Sequence, residues 1–129
     1  MQDFFFLKTN GDYTRIDYSD ITYIECLKNY VRVVTAKKTF IFLATMKHVE
    51  EILPQDKFCR IHRSYIVSLK QISRFDQKYV YVGEKKFPVS EQYRNALMGK
   101  FIVLTPESRS KLNFSKNWIY LHSIVSKLL

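Results

Sequence analysis

Glycine and proline are scarce in this chain, three of each in 129 residues. That scarcity leaves no room for a collagen-like repeat, and no glycine-rich phosphate loop occurs anywhere. Cysteine is limited to Cys26 and Cys59. Two cysteines make no disulfide framework for a chain of this size, and both sit in apolar strand patterns as small core residues. A reducing, cytoplasmic setting is the expectation. Apolar runs such as 41–44 and 101–104 fall far short of the roughly twenty residues a membrane-spanning helix needs, so no membrane partner is expected. The first six residues carry an apolar patch but neither a basic n-region nor a small-residue cleavage site, which argues against a signal peptide.

Acidic residues are in deficit. Lys and Arg number 21 against 12 Asp and Glu, for a formal charge of +9. The excess is +6 up to residue 100 and +3 beyond it, so the basicity belongs to the body of the protein and is not a detachable tail. A folded basic domain prefers polyanions, either nucleic acid or an anionic surface. Hydrophobic residues make up 47% and aromatic residues 16%, which excludes a disordered chain and allows one ordinary core. Ten Phe and nine Tyr point to strands filled with aromatic and β-branched side chains.

The alternation predicts strands over 4–8, 13–16, 21–26, 31–35, 39–43, 71–76, 79–82 and 85–89. Asn10-Gly11 supplies the positive φ angles of a hairpin turn between the first two. Thr45 is the expected N-cap of a helix running to Leu53, with Met46, Val49, Ile52 and Leu53 on its buried face and Pro54 stopping it. Ser90 is expected to cap a second helix carrying Tyr93, Leu97 and Met98, with Gly99 at its C-terminal end. Residues 101–104 read as an extra strand. From 117 to 129, Trp118, Leu121, Val125 and Leu128 recur at helical spacing. That stripe predicts an amphipathic helix packed on the domain, with Trp118 buried, or on a second copy.

Residues 58–70 carry the strongest chemical signal. Cys59 and Ile61 alternate inward while Arg60 and His62 face the other way. At Arg63 a continued strand would drive a guanidinium into the core, which is costly unless it is paired. The strand is therefore expected to end or bulge near His62, leaving Arg63 and Ser64 on an exposed loop before Ile66 re-enters the core. Two further basic clusters lie beside predicted turns. One is Lys28 with Asn29, Tyr30 and Arg32; the other is Lys85 with Lys86, ahead of the helix start at Ser90. Any one such cluster is an ordinary solvated face. Three beside turns point to a phosphate backbone and base edges.

The chemistry of catalysis is thin by comparison. Cys59-x-x-His62 has the spacing of half a zinc site, but there is no second half. Cys59 falls on the apolar face of its strand, a poor place for a nucleophile. Glu50 and Glu51 are adjacent on a helix and diverge. The chain is expected to be neither an enzyme nor a holder of any metal or cofactor.

Several segments together resemble the LytTR DNA-binding domain, the output domain of LytR/AlgR-family response regulators. They are Tyr23-Ile24-Glu25-Cys26-Leu27-Lys28-Asn29-Tyr30-Val31, Thr45-Met46-Lys47, Leu53-Pro54, Phe58-Cys59-Arg60-Ile61-His62-Arg63-Ser64-Tyr65-Ile66-Val67, and Phe87-Pro88-Val89-Ser90 before Tyr93-Arg94. The match covers residues 3–100 in the family's order, which leaves 101–129 as a C-terminal extension. The resemblance implies a mostly β fold, an elongated arrangement of small antiparallel sheets with two short helices, to which the C-terminal helix is added. It also implies double-stranded DNA as partner, read in neighbouring major grooves by loops and without a recognition helix. Carried over by position, the contact loops fall at Lys28-Asn29-Tyr30, at His62-Arg63-Ser64 and just after Val89, at Ser90 and Glu91; Arg32, Arg60 and Lys86 of the basic clusters complete the DNA-binding candidates.

The family is typically the output half of a bacterial two-component response regulator or transcription regulator, behind a receiver domain that these residues do not include. Its paired DNA repeats make a homodimer attractive. One departure stands out: Glu91 occupies a position that is often basic in the family, and a carboxylate there either repels phosphate or accepts a hydrogen bond from cytosine. The alternative to DNA binding is a basic protein-interaction module acting through the apolar C-terminal helix.

Overall fold

In the computed structural model, which describes residues 2–107 and 127–128, Asn10 and Gly11 take φ angles of 51° and 80°. Two consecutive positive φ values are what a tight hairpin turn needs. They fold β1 (Phe4–Thr9) onto β2 (Asp12–Asp17), with Thr9 opposite Asp12. The central sheet is formed by β3 (Ile21–Leu27), β4 (Tyr30–Thr35), β5 (Thr39–Leu43), β6 (Phe58–His62) and β7 (Tyr65–Ser68), in the order β5-β4-β3-β7-β6. A third sheet orders β8 (Ile72–Phe75), β9 (Tyr79–Val82) and β10 (Lys85–Pro88) as β10-β9-β8. Every pairing is antiparallel. Within residues 2–107 the α-helices are α1 (Met46–Ile52) and α2 (Glu91–Met98).

The central sheet is covered on both faces. One face turns Ile24, Val31, Val33, Phe58 and Ile66 toward Ile16 of β2 and Met46 and Val49 of α1. The other turns Tyr23, Cys59, Ile61 and Val67 toward Val80, Val82 and Phe87 of the third sheet and Leu97 of α2. Burial on both sides explains why Ile66 and Val67 are adjacent and both inaccessible. The two cysteines belong to opposite faces, so they cannot meet. The fold is mostly β, built of small antiparallel sheets, as expected.

Thr45 caps α1 as its sequence predicts, its hydroxyl accepting the His48 backbone N–H at 3.1 Å. Ile52, expected on the buried face, is exposed. Ser90 holds the N-cap position of α2, but its side chain makes no capping bond. Gly99 ends α2 at φ −69°, in the right-handed region, so its role there does not draw on the left-handed freedom of glycine. Residues 101–104 form no strand. Phe101 stacks on Phe75 with centroids 5.6 Å apart, and Ile102 and Leu104 are exposed, with no strand paired to them among the described residues. Of the C-terminal stripe, Trp118, Leu121 and Val125 lie outside the described residues, and Leu128 is exposed.

Candidate nucleic-acid interface

The β6–β7 hairpin has a two-residue turn, Arg63-Ser64, with His62 opposite Tyr65 and a register shift between Arg60 and His62. The break in alternation at Arg63 is therefore a bulge followed by a turn, which leaves Arg63 exposed. Glu25 pairs with Tyr65 and Leu27 with Tyr30, so the β3–β4 turn, Lys28-Asn29, lies at the same end of the central sheet. The Cys26 backbone N–H donates to the Ser64 carbonyl at 2.9 Å, joining the two turns. The start of α2 reaches the other flank, where the Ser90 N–H donates to the Ile61 carbonyl at 2.9 Å. Lys28-Asn29, Arg63-Ser64 and Ser90-Glu91 thus come together around one hairpin, although up to 63 positions of sequence separate them.

Local chemistry holds each turn. Lys28 adopts φ 55°, uncommon for a residue with a Cβ. It projects at the tip of the turn, with the Cys26 thiol donating to its carbonyl at 3.3 Å. Asn29 accepts the Ala44 N–H at 3.3 Å through its carbonyl, which ties the turn to the entry of α1 and leaves its side-chain amide in solvent. A surface groove runs between these elements, lined by Lys28, Asn29, Thr45, Lys47, Arg60 and Arg63 among others. Lys47 is an exposed cation at this end. In the sequence no predicted turn and no break in alternation marks Lys47, so it is not among the candidates above.

His62 is set by the turn it precedes. Its Nδ1 accepts the Ser64 backbone N–H at 3.0 Å, which requires a neutral ring with its proton on Nε2. Burial, then the positive charges of Arg63 and Arg60, lower its pKa below the ordinary histidine value and favour that neutral form. The imidazole therefore offers a donor at Nε2. Its ring packs 5.4 Å from that of Tyr65.

Three candidates stand apart from the exposed turns. Arg32 donates to Glu25 at 2.6 Å across the β3–β4 ladder, and this hydrogen bond raises its pKa further. Lys86 lies on the solvent side of β10 with its ammonium 4.4 Å from the centre of the Tyr79 ring. Arg60 donates to Glu50 of α1 at 3.1 Å, to the His62 carbonyl at 3.3 Å and to the Arg63 carbonyl at 2.9 Å. Its side chain is only 15% exposed. Sequence alternation put Arg60 opposite Ile61 correctly, but gave no sign that a carboxylate ten residues earlier would meet it there.

Burial raises the pKa of the Cys59 thiol, which makes it inert. Among the described residues, no three His, Cys, Asp or Glu side chains gather as metal ligands, and no helix is long and apolar enough to cross a membrane.

Residues 11–101 match the model of the LytTr DNA-binding domain. The chain is 31% identical over 88 residues to the sensory transduction protein LytT of Bacillus anthracis, and equally to that of Bacillus cereus. Each match covers 64% of this chain and 36% of the relative, so the chain spans about a third of those proteins. A solved LytTr DNA-binding domain of a response regulator from Bacillus cereus superposes with a TM-score of 0.65 at 23% identity, over 78% of this chain and 97% of that one. With the family model matching well over half its length, this chain belongs to the LytTr DNA-binding domain family.

Proposed function

We propose that residues 3–100 are a sequence-selective reader of double-stranded DNA that inserts turns rather than a helix into the major groove. The observation that carries this reading is the meeting of three separate turns around the β6–β7 hairpin, with Lys28 and Arg63 exposed among them. Arg63 is the base reader, because a guanidinium on a rigid hairpin can address guanine O6 and N7 together. Asn29 offers an amide suited to adenine. His62 presents its Nε2 donor, and the Ser90 hydroxyl, free of any capping bond, presents another. Lys28 and Lys47 supply phosphate contacts, with Tyr30 flanking them. Arg32 and Lys86 contribute to the field that draws DNA in, at more distance from the bases.

In this reading the domain is the output part of a cytoplasmic bacterial response regulator, with a receiver domain and a paired copy on repeated sites as partners. Residues 101–129 are an extension to it. Catalysis, metals and cofactors have no part.

Selection of bound sequences from a random duplex pool tests the proposal, followed by titration of the selected and a scrambled duplex at two salt concentrations. A sequence reader should enrich one motif, bind it about a thousandfold more tightly than scrambled DNA, and lose affinity steeply with salt. A pool that emerges unenriched rejects sequence reading. Affinity indifferent to salt rejects phosphate contact altogether.

A further inference from the structure

We propose that Arg60 is a positioning residue: it is held by Glu50, sets the pose of the Arg63-Ser64 turn, and does not itself contact DNA. The inference rests on the DNA-reading role given above to that turn. A phosphate-binding arginine keeps its fork of N–H donors open to solvent. Three of the five N–H donors of Arg60, one from each nitrogen, are used inside the protein, and its side chain is 15% exposed. Nε donates to the His62 carbonyl at 3.3 Å, Nη2 to the Arg63 carbonyl at 2.9 Å, and Nη1 to Glu50 Oε1 at 3.1 Å. The guanidinium also lies 5.5 Å from the centre of the Tyr93 ring of α2.

Two consecutive carbonyls, on either side of the Arg63 Cα, are thereby pinned. Their peptide planes determine the direction in which the Arg63 side chain leaves the backbone. The remaining bonds of the turn continue the same lattice. The Ser64 N–H is held by His62 Nδ1 and its carbonyl by the Cys26 N–H. Glu50 balances a guanidinium that is mostly withdrawn from water, and its removal leaves that charge facing carbonyl dipoles alone. Arg60 thus ties α1 and the ring of α2 to the one turn that both helices flank. The planar guanidinium spreads its donors over three nitrogens and so reaches three separated acceptors, whereas a lysine ammonium gathers its three N–H donors on one nitrogen at the end of a flexible stem.

That difference supplies the test. A phosphate contact tolerates Arg→Lys, since both carry one positive charge. A three-way clasp does not. The full chain and its Arg60→Lys, Arg60→Ala and Glu50→Gln variants are titrated with the selected and scrambled duplexes at two salt concentrations. Amide hydrogen exchange is followed at Ser64 and Cys26 without DNA. Arg60→Lys is expected to lose about tenfold on the selected duplex, with scrambled-duplex affinity and salt slope unchanged. Exchange at Ser64 and Cys26 should accelerate while the amides of Ile24 and Val67 stay protected. Glu50→Gln, which removes no basic group, should shift the same readouts in the same direction by less.

Arg60→Lys binding like wild type, or Arg60→Ala flattening the salt slope by about one on both duplexes, would make Arg60 a phosphate contact and overturn the proposal. If the wild-type chain prefers no duplex, the DNA-reading role fails on its own. The exchange data then still decide the clasp, and unchanged protection at Ser64 and Cys26 in Arg60→Lys rejects it.

Discussion

Arg63, Glu91 and His62 sit within one cluster of turns, yet the physics of each predicts a different response to change. Arg63 is exposed at a hairpin tip. Arg63→Ala should cost about 1–3 kcal/mol on the preferred duplex and relax base preference at one position, measured by titration against single-base variants of the site. Equal weakening on random DNA would mark Arg63 as a phosphate contact instead. Glu91 lies in the first turn of α2, exposed, where a carboxylate suits the helix dipole. Glu91→Gln should therefore lower the melting temperature slightly while tightening binding to every duplex by a similar factor. A loss confined to one sequence class would show that it reads cytosine.

His62 is neutral in the fold because its pKa is lowered. The folded state binds fewer protons than the unfolded chain, so its contribution is present above the ordinary histidine pKa near 6.5 and is lost as pH falls below it. Protonation also removes Nδ1 as the acceptor for the Ser64 N–H. From about pH 7 to about pH 5.5 the ratio of specific to random affinity should fall, even as the added positive charge favours DNA in general. A ratio independent of pH would contradict this account of His62.

At the scale of elements, α1 is short, and its start is secured by Thr45. Thr45→Ala should cost about 1 kcal/mol of stability, as loss of an N-cap usually does, readable by denaturant titration. Because α1 carries Glu50, the same substitution should also loosen the Arg63-Ser64 turn. Strand order along the chain was legible from alternation and from turn residues such as Asn10-Gly11, whose local chemistry leaves little choice. Residues 101–104 have the strand character of a short apolar run, yet pairing is a matter of neighbours, and among the described residues no strand pairs with them. The Arg60 environment was illegible for a related reason. Its partners come from α1, from α2 and from its own turn, and no periodicity in sequence records where three elements converge. The turns themselves were found because the failure of alternation at Arg63 is a local event.

At the scale of the whole molecule, a charge of +9 gives a background attraction to any polyanion. What separates a reader from a merely basic protein is where the contacts fall. DNA is expected to meet the three turns gathered at one end of the central sheet, and amide chemical-shift mapping with the selected duplex tests this. The largest changes are predicted at Lys28, Asn29, Arg63, Ser64, Ser90 and Glu91, with Lys47 beside them and the β5 residues Thr39 and Ile41 unmoved. Changes concentrated on β5, or spread evenly over all the exposed lysines, would contradict it.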